Sequence, residues 1–546
     1  MLAQEIKKFF RGEVYFDRAT LEKYSEDASI FKVRPEVVVA PKDVEDLKNL
    51  VKFVAAEKKK GKHISLTARS GGTDMSGGPL NESIIIDFTT HFNRIKEVGD
   101  GYAVAQPGVF YRDFEKATIA RGNQFVPSYP ASREICTVGG MVANNSAGEK
   151  TLAYGKTEDY ILELKAVLAD GEEYIIKPLT KAELSKKLKQ KNFEGEMYRK
   201  LWKLIEANYD AIKKGKPDVS KNSAGYYLWN VWDKKIFDLT KLVVGSQGTL
   251  GLITEIKFRL IKKKLHSRMA IVFLSDLEPL ARIVNAALRF KPESFEAYDD
   301  KTLKLALRFL PDILKIMKGN ALLLGLKFLP DFFIILRYGM PKLVLLIQLT
   351  GDDEKELEIR EAELKKELEK FRFPIITTKN EEEEKKYWTI RRESFNLLRN
   401  RVRDKHTAPF IDDLIVRPEK MPEFLPRLNA ILEKYKDKMT STIAGHAGDG
   451  NFHIIPLMDL SDPGARALIP KVAEEVYDLV KEFGGSFTAE HNDGLIRTPY
   501  LEKMFGPELA KLFKETKKIF DPKNIFNPGK KVGADLNYVL AHIKHD

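Results

Sequence analysis

Two short stretches in the C-terminal half carry residue types that can do metal-assisted acid–base chemistry. The first is Gly445-His-Ala-Gly-Asp-Gly-Asn-Phe-His453, and the second is Glu490-His491. A Gly-Asp-Gly turn between two β-like runs predicts a hairpin that returns His446 and His453 to one point. Two imidazoles and one carboxylate form an open divalent site, suited to Zn²⁺ or Mn²⁺, with room for substrate oxygens. A hydrogen-bonded polar loop without metal is the alternative at this stage.

Three glycine-rich stretches in the N-terminal half have the composition of a nucleotide-binding cradle. They are Ala68–Gly78, Cys136–Gly148 and Gly245–Glu255, each beside β-like runs. Glycine lets the backbone approach a ligand closely, and successive N–H groups form a concave site for phosphate oxygens. The first stretch leads into another β-like run, Ser83–Phe88, rather than into a helix, so it is not a Rossmann fingerprint. The pattern predicts a dinucleotide-sized ligand, whereas each stretch taken alone is also compatible with a tight turn.

Both kinds of stretch need a framework of strands and helices to position them. Apolar residues recur with helical period over residues 42–60, and the lysines at the end of this segment suit a helix C-terminus. A similar amphipathic segment covers residues 109–121 and ends at Gly122. Short β-like runs flank the glycine stretches and the histidine pair. These patterns favour a mixed framework of helices and strands.

Composition narrows the classes of protein further. With 546 residues, the chain is long enough for several domains with buried cores. Its single cysteine, Cys136, excludes disulfides within the chain and cysteine-ligated clusters, and we expect it to pack as a small buried side chain. The net charge of +12 arises from 91 basic and 79 acidic residues, mostly interspersed and without a nucleic-acid-binding motif. We predict no nucleic acid partner, and the absence of an apolar signal segment at the start favours a cytoplasmic protein.

One segment, Leu305–Tyr338, combines apolar residues with regularly placed lysines and arginines. Pro311 and Pro330 interrupt it, and no apolar run within it reaches the length of a spanning helix. One interpretation is a pair of short helices that pack on themselves or form a dimer. The other is a basic amphipathic element that rests on an anionic membrane surface.

Seven motifs, in a fixed order along nearly the whole chain, make it similar to a known family. They are Pro41-Lys-Asp, Arg69-Ser-Gly-Gly-Thr-Asp, Thr137-Val-Gly-Gly-Met-Val-Ala-Asn-Asn, Gly245-Ser-Gln-Gly-Thr-Leu-Gly, Gly445-His-Ala-Gly-Asp-Gly-Asn-Phe-His, Glu490-His, and Phe520-Asp-Pro-Lys-Asn-Ile-Phe-Asn-Pro-Gly. The chain resembles the FAD-linked oxidases of the vanillyl-alcohol-oxidase and p-cresol-methylhydroxylase type. Within that type it is most similar to the branch of D-2-hydroxyacid dehydrogenases, which act on glycolate, D-lactate or D-2-hydroxyglutarate.

The resemblance implies an α+β fold with three parts. Residues 1–265 would form a FAD-binding domain of two subdomains, of the p-cresol-methylhydroxylase type. Residues 266–485 would form an antiparallel-sheet cap that binds substrate and carries the apolar-basic insertion at 305–338. Residues 486–546 would complete the active site and return to the FAD domain.

The resemblance also assigns the reacting and metal-binding residues. His446, His453 and Glu490 would bind the divalent metal, Zn or Mn. His491, next to Glu490, would accept the hydroxyl proton, a role that suits a histidine near neutral pH. Arg391, in a Trp-x-x-Arg motif, would pair with the substrate carboxylate through its planar guanidinium.

Residues beside these positions receive lesser roles. Asp449 and Asn451 are expected to orient the imidazoles, and Arg392 to be a surface or structural charge. Lys405 aligns too poorly with the family to be assigned a second contact to the substrate.

FAD is expected to bind without a covalent link, because Thr73 stands where some relatives attach the flavin through a histidine. Gln247 replaces a glutamate that is common in relatives, and we expect it to affect flavin tuning rather than the fold. The predicted cofactor-binding residues are Arg69, Ser70, Gly71, Gly72, Thr73, Asp74, Pro107, Gly108, Thr137, Gly139, Gly140, Asn144, Ala147, Gly148, Gly248, Ile253 and Asn527.

The predicted function is a FAD-dependent dehydrogenase that oxidises a 2-hydroxy acid, of D configuration, to the 2-oxo acid. Hydride would pass to flavin N5 while the metal chelates the substrate. The alternative is a transferase of the alkylglycerone-phosphate-synthase type, which uses FAD without net redox. Those relatives carry an additional histidine cluster, whereas Asn492-Asp-Gly494 follows His491 here.

Electrons from the reduced flavin would leave through a separate partner. Because the chain has no cysteine cluster and hence no fused iron–sulfur module, that acceptor would be a quinone, a diffusible carrier or oxygen. The 305–338 insertion would bring the protein to the inner face of the membrane, or serve as the contact of a homodimer.

Overall fold

The computed structural model describes residues 1–309, 329–401 and 406–545. Two predictions therefore fall partly or wholly outside the described residues. These are the central part of the apolar-basic insertion, residues 310–328, and Lys405.

The first sheet holds the first glycine stretch. Its strands, in spatial order, are Glu13–Tyr15, Val37–Ala40, Ile84–Asp87 and Leu66–Arg69. The last three run parallel, so the Ala68–Gly78 loop leaves the carboxyl end of its strand. The strand Ile84–Asp87 is buried along its whole length, because the helix Val44–Lys59 covers Ile84 and Ile86 on one face while Ile85 packs with Leu21 and Val38 on the other.

The second sheet is antiparallel and supports the other two glycine stretches. Its strands, in spatial order, are Ile95–Val98, Tyr102–Ala105, Leu252–Arg259, Ile161–Val167 and Glu173–Ile176. Two short pairs accompany it: Gln124–Phe125 with Ile261–Lys262, and Leu179–Thr180 with Ile236–Phe237. The helices of this part of the chain are Leu2–Ile6, Arg18–Tyr24, Val44–Lys59, Tyr111–Gly122, Val138–Asn144, Thr151–Tyr154, Lys181–Leu188, Phe193–Ala207, Tyr209–Lys214, Leu228–Val231 and Thr240–Val243.

The third and largest sheet is antiparallel and forms the cap. In spatial order its strands are Ile375–Thr377, His266–Leu274, Leu343–Gly351, Ser294–Asp299, Met439–His446, Asn451–Met458 and His406–Thr407, and Leu414–Ile415 also pairs with Asn451–Met458. The helices around it are Leu280–Leu288, Asp300–Arg308, Leu329–Tyr338, Glu354–Glu369, Glu381–Arg401, Met421–Glu433 and Pro463–Glu482.

The two faces of the cap sheet pack against different helices. In the strand Leu343–Gly351, Leu345 and Ile347 join the core formed with the helices Leu280–Leu288 and Glu354–Glu369. Val344 and Leu346 join the opposite core, formed with the helices Asp300–Arg308 and Glu381–Arg401. Alternate residues of this strand therefore face two different cores, so both faces of the cap sheet are buried. Polar side chains on the face that packs against Asp300–Arg308 and Glu381–Arg401 lie among largely apolar neighbours.

The C-terminal part of the chain returns to the first sheet. It contains the helices Gly494–Arg497, Leu501–Phe520 and Leu536–Ala541. The Leu66 N–H donates to the Ile525 carbonyl at 2.8 Å, and the Asn527 N–H donates to the Leu66 carbonyl at 2.8 Å. Residues 525–527 thus extend the edge of the first sheet. The expected α+β class and the expected C-terminal return are both present.

Within the described ranges, no helix is both long enough and apolar enough to cross a membrane. The helix Leu329–Tyr338, at the end of the apolar-basic insertion, contains no buried residue. Its apolar side chains are among the most exposed in the described structure, with Phe332, Phe333 and Leu336 exposed at 57%, 61% and 72%.

Candidate active site

The two histidines of the Gly-Asp-Gly motif lie on one hairpin. The strands Met439–His446 and Asn451–Met458 pair so that Ala444 faces His453 and His446 faces Asn451. His446 and Ala444 are two residues apart, so His446 and His453 project from the same face of the sheet. Their Nε2 atoms lie 3.3 Å apart, with the rings nearly perpendicular. The predicted hairpin is confirmed.

Glu490 and His491 reach this face on a loop that Asp413 holds in place. One oxygen of the buried Asp413 carboxylate accepts the backbone N–H of Glu490 at 2.8 Å and that of His491 at 2.7 Å. The same oxygen accepts the Thr488 hydroxyl at 2.6 Å, and the other oxygen accepts the Asn451 amide at 3.1 Å. As a result, the Glu490 carboxylate lies 3.0 Å from His446 Nε2.

Asp412, the neighbour of Asp413, lies between two imidazoles. Its carboxylate oxygens are 3.3 Å from His453 Nδ1 and 2.8 Å from His491 Nδ1, although the angles fall outside hydrogen-bond geometry. The rings of His453 and His491 stack at 5.1 Å. A fully buried carboxylate at the Nδ1 side of both rings leaves their Nε2 atoms for other partners.

Glu296 connects His446 with Arg391. It lies on the strand Ser294–Asp299, on the same sheet face as the histidines, and is 1% exposed. Its Oε1 is 2.5 Å from His446 Nδ1, and its Oε2 accepts from Arg391 Nε at 3.1 Å. Arg391 comes from the helix Glu381–Arg401 and lines the cavity described below.

Lys221, also fully buried, contacts the same oxygen of Glu490 that faces His446. Its ammonium lies 2.5 Å from the Glu490 carboxylate and 3.2 Å from Asp449. Asp449 and Asn451 were predicted to orient the imidazoles, and this is wrong. Asp449 pairs with Lys221, and Asn451 donates to Asp413 and to the backbone. The side chains that orient the imidazoles are Glu296 and Asp412.

These carboxylates give the histidines a strongly negative surrounding. Burial lowers the pKa of His446, but the charges of Glu296 and Glu490 outweigh burial and raise it to about 9. In the same way, Asp413 and Asp412 overcome burial and raise the pKa of His491 to about 9. Burial tends to raise the pKa of the Glu490 carboxyl, yet His446 and Lys221 hold it well below its usual value. The site therefore attracts a positive charge, as a proton or as a metal ion.

The donor set fits a divalent metal. Ligands bound to one Zn²⁺ at about 2.0–2.1 Å in a tetrahedron stand about 3.3 Å apart. The distances of 3.3 Å between the two Nε2 atoms and 3.0 Å between His446 Nε2 and Glu490 Oε1 have this size. Carboxylates at the Nδ1 side of ligand histidines are a usual feature of such sites. Asp413, His453, Glu490 and His491 also offer ligand atoms within 4.8 Å of one another. Asp413 is the weaker candidate, because four protein donors already occupy its carboxylate.

A cavity of about 930 Å³ joins this charged cluster to the glycine stretches. This volume suits a large organic cofactor together with a small substrate. One end of the cavity is lined by His446, His453, Glu490, His491 and Arg391. Most of the predicted cofactor-binding residues line the remainder: Arg69, Ser70, Gly71, Gly72, Thr73, Asp74, Pro107, Thr137, Gly139, Gly140, Asn144, Ala147, Gly148, Gly248 and Ile253.

Gly108 and Asn527, also predicted to bind cofactor, are not among the lining residues. A Cβ on Gly108 would come within 2.0 Å of the Phe88 carbonyl oxygen, so this glycine permits close packing of two segments. The Asn527 amide donates to the Gly78 and Gln247 carbonyls at 2.9 and 2.7 Å. Asn527 thus joins the first and third glycine stretches by hydrogen bonds without lining the cavity.

Three residues of the cavity wall have structural roles of their own. Gly72 has φ +66°, a conformation that glycine adopts without strain. Arg69 lines the cavity, yet its guanidinium donates to the Tyr24 and Glu26 carbonyls at 3.1 and 2.6 Å. It therefore anchors the N-terminal segment. Cys136 is buried, and burial raises the pKa of its thiol to about 12, as expected for a packing residue.

Gln247 links the cofactor side of the cavity to the histidine side. Its amide nitrogen donates to Ser76 Oγ and Asn144 Oδ1 at 3.1 and 3.2 Å, and its carbonyl accepts the Gly494 N–H at 2.8 Å. A glutamate could not donate to Asn144. The change from the usual residue is thus matched by hydrogen bonds at this position.

Two family models match the chain. One describes the FAD binding domain and matches residues 35–176, and the other describes the C-terminal domain of FAD linked oxidases and matches residues 263–531. The chain belongs to the FAD-linked oxidases. The first model contains the first two glycine stretches, and the second contains the whole histidine–carboxylate cluster.

Curated relatives of this FAD-linked oxidase include proteins named for three 2-hydroxy acids. The D-2-hydroxyglutarate dehydrogenase of Pseudomonas putida is 28% identical over 529 residues, which cover 95% of this chain and 50% of the relative. A glycolate oxidase subunit of Bacillus subtilis is 28% identical, with 94% and 92% covered. The D-lactate dehydrogenase of Archaeoglobus fulgidus is 27% identical, with 91% of both chains covered. The chain spans about half the length of the first of these relatives.

Solved structures agree with the fold. A 4-ethylphenol oxidase from Gulosibacter chungangensis superposes with a TM-score of 0.69 at 15% identity, covering 98% of this chain and 97% of the other. A p-cresol methylhydroxylase gives 0.67 at 17% identity, with 98% and 96% covered. An alkyldihydroxyacetonephosphate synthase gives 0.64 at 15% identity, with 96% and 84% covered. The expected p-cresol-methylhydroxylase-type fold is confirmed.

Sequence reasoning missed Glu296, Asp412 and Asp413. Glu296 stands between Phe295 and Ala297, and a carboxylate within that short strand was at most a weak signal. The pair Asp412-Asp413 had a clearer one, an acidic doublet within the otherwise apolar run Ala408–Val416.

Proposed function

We propose that the protein is a FAD-dependent dehydrogenase that oxidises a D-2-hydroxy acid to the 2-oxo acid. The observation that supports this most directly is the shared cavity, which brings the glycine stretches and the histidine–carboxylate cluster to one space. The names of the sequence relatives support the substrate class. The domain bounds at residues 265 and 485 belong to the same proposal.

FAD would be held without a covalent link. Backbone and small side chains of the three glycine stretches would receive it, and Thr73 offers no imidazole for attachment. Acid precipitation should release the flavin into a yellow supernatant. Flavin that stays with the pellet would contradict a non-covalent bond, and a colourless purified protein would contradict the cradle itself.

Each polar residue of the cluster has a task in this reaction. Arg391 would bind the substrate carboxylate, because it lines the cavity while its Nε is held by Glu296. His491 lines the same cavity and, in its neutral form, would take the hydroxyl proton through Nε2, since Asp412 lies at its Nδ1; because its pKa is raised to about 9, that form increases as the pH approaches 9. His446, His453 and Glu490 would bind Zn²⁺ or Mn²⁺.

Hydride acceptance from C2 is the chemistry that the isoalloxazine supplies when bound, and lowering of the hydroxyl pKa is what a divalent metal supplies. The chain's own contribution is geometric. Arg391 orients the acid, and His491 stands where the departing proton can be held.

Anaerobic titration of the purified flavoprotein tests the proposal. Addition of D-lactate, D-2-hydroxyglutarate or glycolate should bleach the oxidised flavin spectrum, with little response to the L acids. A protein that retains FAD and metal but is bleached by none of a broad set of 2-hydroxy acids would contradict the proposal. The same result would favour the non-redox transferase alternative.

Metal dependence has a separate test. A chelator should abolish bleaching by the acid while FAD stays bound, and Zn²⁺ or Mn²⁺ should restore it. Full activity of a verified metal-free sample would rule out the metal role. In that case the cluster would act as a purely hydrogen-bonded proton site.

We also propose that electrons leave to a separate acceptor, a quinone or a diffusible carrier, and that the protein reaches the cytoplasmic face of the membrane through its apolar-basic insertion. The exposed aromatic and apolar side chains of the helix Leu329–Tyr338 support this. The net charge of +12 adds attraction to anionic lipid.

A triple variant tests the membrane contact. Replacement of Phe332, Phe333 and Leu336 by serine should reduce co-sedimentation with anionic vesicles. Ile359→Ser, on the helix Glu354–Glu369, is the control, because that side chain is also 61% exposed. Equal pelleting of both variants would exclude the helix as the contact. A shift of the triple variant from dimer to monomer in light scattering, without loss of lipid binding, would assign the same surface to a homodimer.

A further inference from the structure

A fully buried carboxylate, Glu296, contacts two groups that have different tasks in the proposed reaction. One oxygen faces His446 Nδ1 at 2.5 Å, and the other accepts from Arg391 Nε at 3.1 Å. His446 belongs to the candidate metal site, whereas Arg391 belongs to the candidate carboxylate site. We propose that Glu296 is a positioning residue that fixes the metal site and the substrate-carboxylate site at one set separation. This inference rests on the function proposed above.

The contact to His446 decides which ring nitrogen is free. A carboxylate at Nδ1 keeps the proton on that atom, so the Nε2 lone pair is directed to the opposite side. There it meets His453 Nε2 at 3.3 Å and the Glu490 carboxylate at 3.0 Å. Without Glu296, either tautomer and a rotated ring would be open to His446, and the three ligand atoms would no longer be preorganised.

The contact to Arg391 decides which edge of the guanidinium is free. Nε is occupied by Glu296, and the outer N–H groups of the fork remain for a carboxylate in the cavity that Arg391 lines. A long side chain that would otherwise sample many rotamers is thereby held at one end. Binding of the acid then costs less conformational entropy.

The position of Glu296 is itself rigid. It lies within the strand Ser294–Asp299, whose neighbours are Leu343–Gly351 and the histidine strand Met439–His446. Ala297 faces Gly445 in that pairing, so the backbones that carry Glu296 and His446 are adjacent strands of one sheet. Because one short carboxylate contacts both groups, the separation between the carboxylate site and the metal site is set within a few ångströms. Such a separation suits an acid whose hydroxyl is on the carbon next to the carboxylate.

A neighbouring ion pair offers a matched control. Arg392, next to Arg391, pairs with Glu149 through one edge of its guanidinium, with Nε and Nη2 at 2.5–3.1 Å from the carboxylate oxygens, and Glu149 lines the same cavity. Glu149 also accepts the Tyr129 hydroxyl, but among its described contacts there is no histidine. Glu296→Gln and Glu149→Gln therefore remove the same charge from two carboxylate–arginine pairs, of which the Glu149 pair is the more exposed, and only Glu296 touches the candidate metal site.

Two binding measurements on FAD-loaded protein test the proposal without turnover. The first is Zn²⁺ affinity of the metal-depleted protein by calorimetry. The second is affinity for a 2-oxo acid, which cannot be oxidised at C2, followed through the flavin spectrum of the metal-free protein. Glu296→Gln should weaken Zn²⁺ binding about 10–100-fold, and should also weaken acid binding, with FAD content unchanged. Glu149→Gln should leave the Zn²⁺ affinity unchanged, because Glu149 contacts none of the candidate metal ligands.

Glu296→Asp separates geometry from charge. It keeps the carboxylate but is one carbon shorter, so it cannot reach both partners, and at least one of the two affinities should fall. Full retention of both affinities in Glu296→Asp would overturn the bridging role, as would a Glu296→Gln variant with unchanged Zn²⁺ binding. If the wild-type protein binds neither Zn²⁺ nor the acid, the function proposed above fails instead. A preference for 2-hydroxy over 3-hydroxy acids that is lost in Glu296→Asp would support the set separation.

Discussion

The two ends of the cavity are built in different ways. At the cofactor end, the wall consists of contiguous loops, such as Ala68–Gly78 and Cys136–Gly148, in which backbone and small side chains face the space. At the other end, the wall is a set of charged side chains taken from separate strands, helices and loops. The first kind of site depends on residues that are adjacent in sequence. The second depends on strand pairing between residues such as Glu296 and His446, which are 150 positions apart.

The largest effect is expected from filling the cofactor end. Gly140 lines the cavity, and a Cβ there would meet only Thr137 Oγ1 and Ser70 Oγ, at 3.3 and 3.4 Å. Gly140→Val should therefore fold but purify nearly free of flavin, as measured by absorbance and by far-UV circular dichroism. A Cβ on Gly139 would approach Pro107 to 2.4 Å, so Gly139→Ala should lower the thermal unfolding temperature as well. A yellow, fully active Gly140→Val protein would show that this glycine does not face the flavin.

The next effect concerns the charged end alone. His491→Ala should lower kcat about 10²–10⁴-fold, the usual contribution of a general base. FAD and metal contents should stay near those of the wild-type protein, since the Nδ1 side of His491 faces Asp412 and the flavin loops do not depend on it. Rapid-reaction measurement of flavin reduction is the direct test. A normal reduction rate would assign proton transfer to another group.

A third prediction compares two adjacent arginines. Arg391→Ala should raise KM for the acid about 10–100-fold, because a hydrogen-bonded charged contact to the substrate is lost. Arg392→Ala should change KM much less, because Arg392 is paired with Glu149 through its Nε and Nη2. Steady-state kinetics of both variants with one acid would decide this. Equal effects would mean that the helix Glu381–Arg401, rather than one guanidinium, sets substrate affinity.

The smallest effect is expected from Lys530, a buried lysine behind the cofactor end of the cavity. Burial lowers the pKa of Lys530 to about 7, despite the nearby Asp27 and Glu82. The unfolded chain therefore binds more protons than the folded one between about pH 7 and 10.5, so Lys530 makes stability rise with pH across that window. Lys530→Met should flatten this rise. Its free energy of unfolding should exceed that of the wild-type protein by most near pH 7. The gain will be reduced because the Leu80 carbonyl loses its donor. Urea midpoints of both proteins at pH 7 and pH 9 separate the pH-dependent effect of the Lys530 charge from the pH-independent loss of the hydrogen bond to Leu80.

The contrast between the two ends also explains what the sequence could predict. The glycine stretches, the histidine hairpin and Glu490-His491 are short motifs whose residues act close to where they stand in the chain. Glu296 and Asp412 have no such motif, since their roles come from the order of strands in the cap sheet and from a loop that meets it. The assignment of Asp449 and Asn451 was wrong for the same reason. Closeness to a ligand in sequence did not predict contact with it, because the hairpin directs these side chains toward Lys221 and Asp413.

Asn527 has a consequence for the timing of synthesis. Its amide and carbonyl join Thr67 and Gly78, which precede it by 460 and 449 positions. At ribosomal speeds, roughly 20–90 s separate the emergence of these partners. During that interval the first glycine stretch exists without the residues that brace it from behind. The brace therefore forms only after residues 525–527 have emerged, and we expect the flavin to be retained only from that point on. Proteolytic removal of residues 525–531 from a mature molecule should likewise release the flavin.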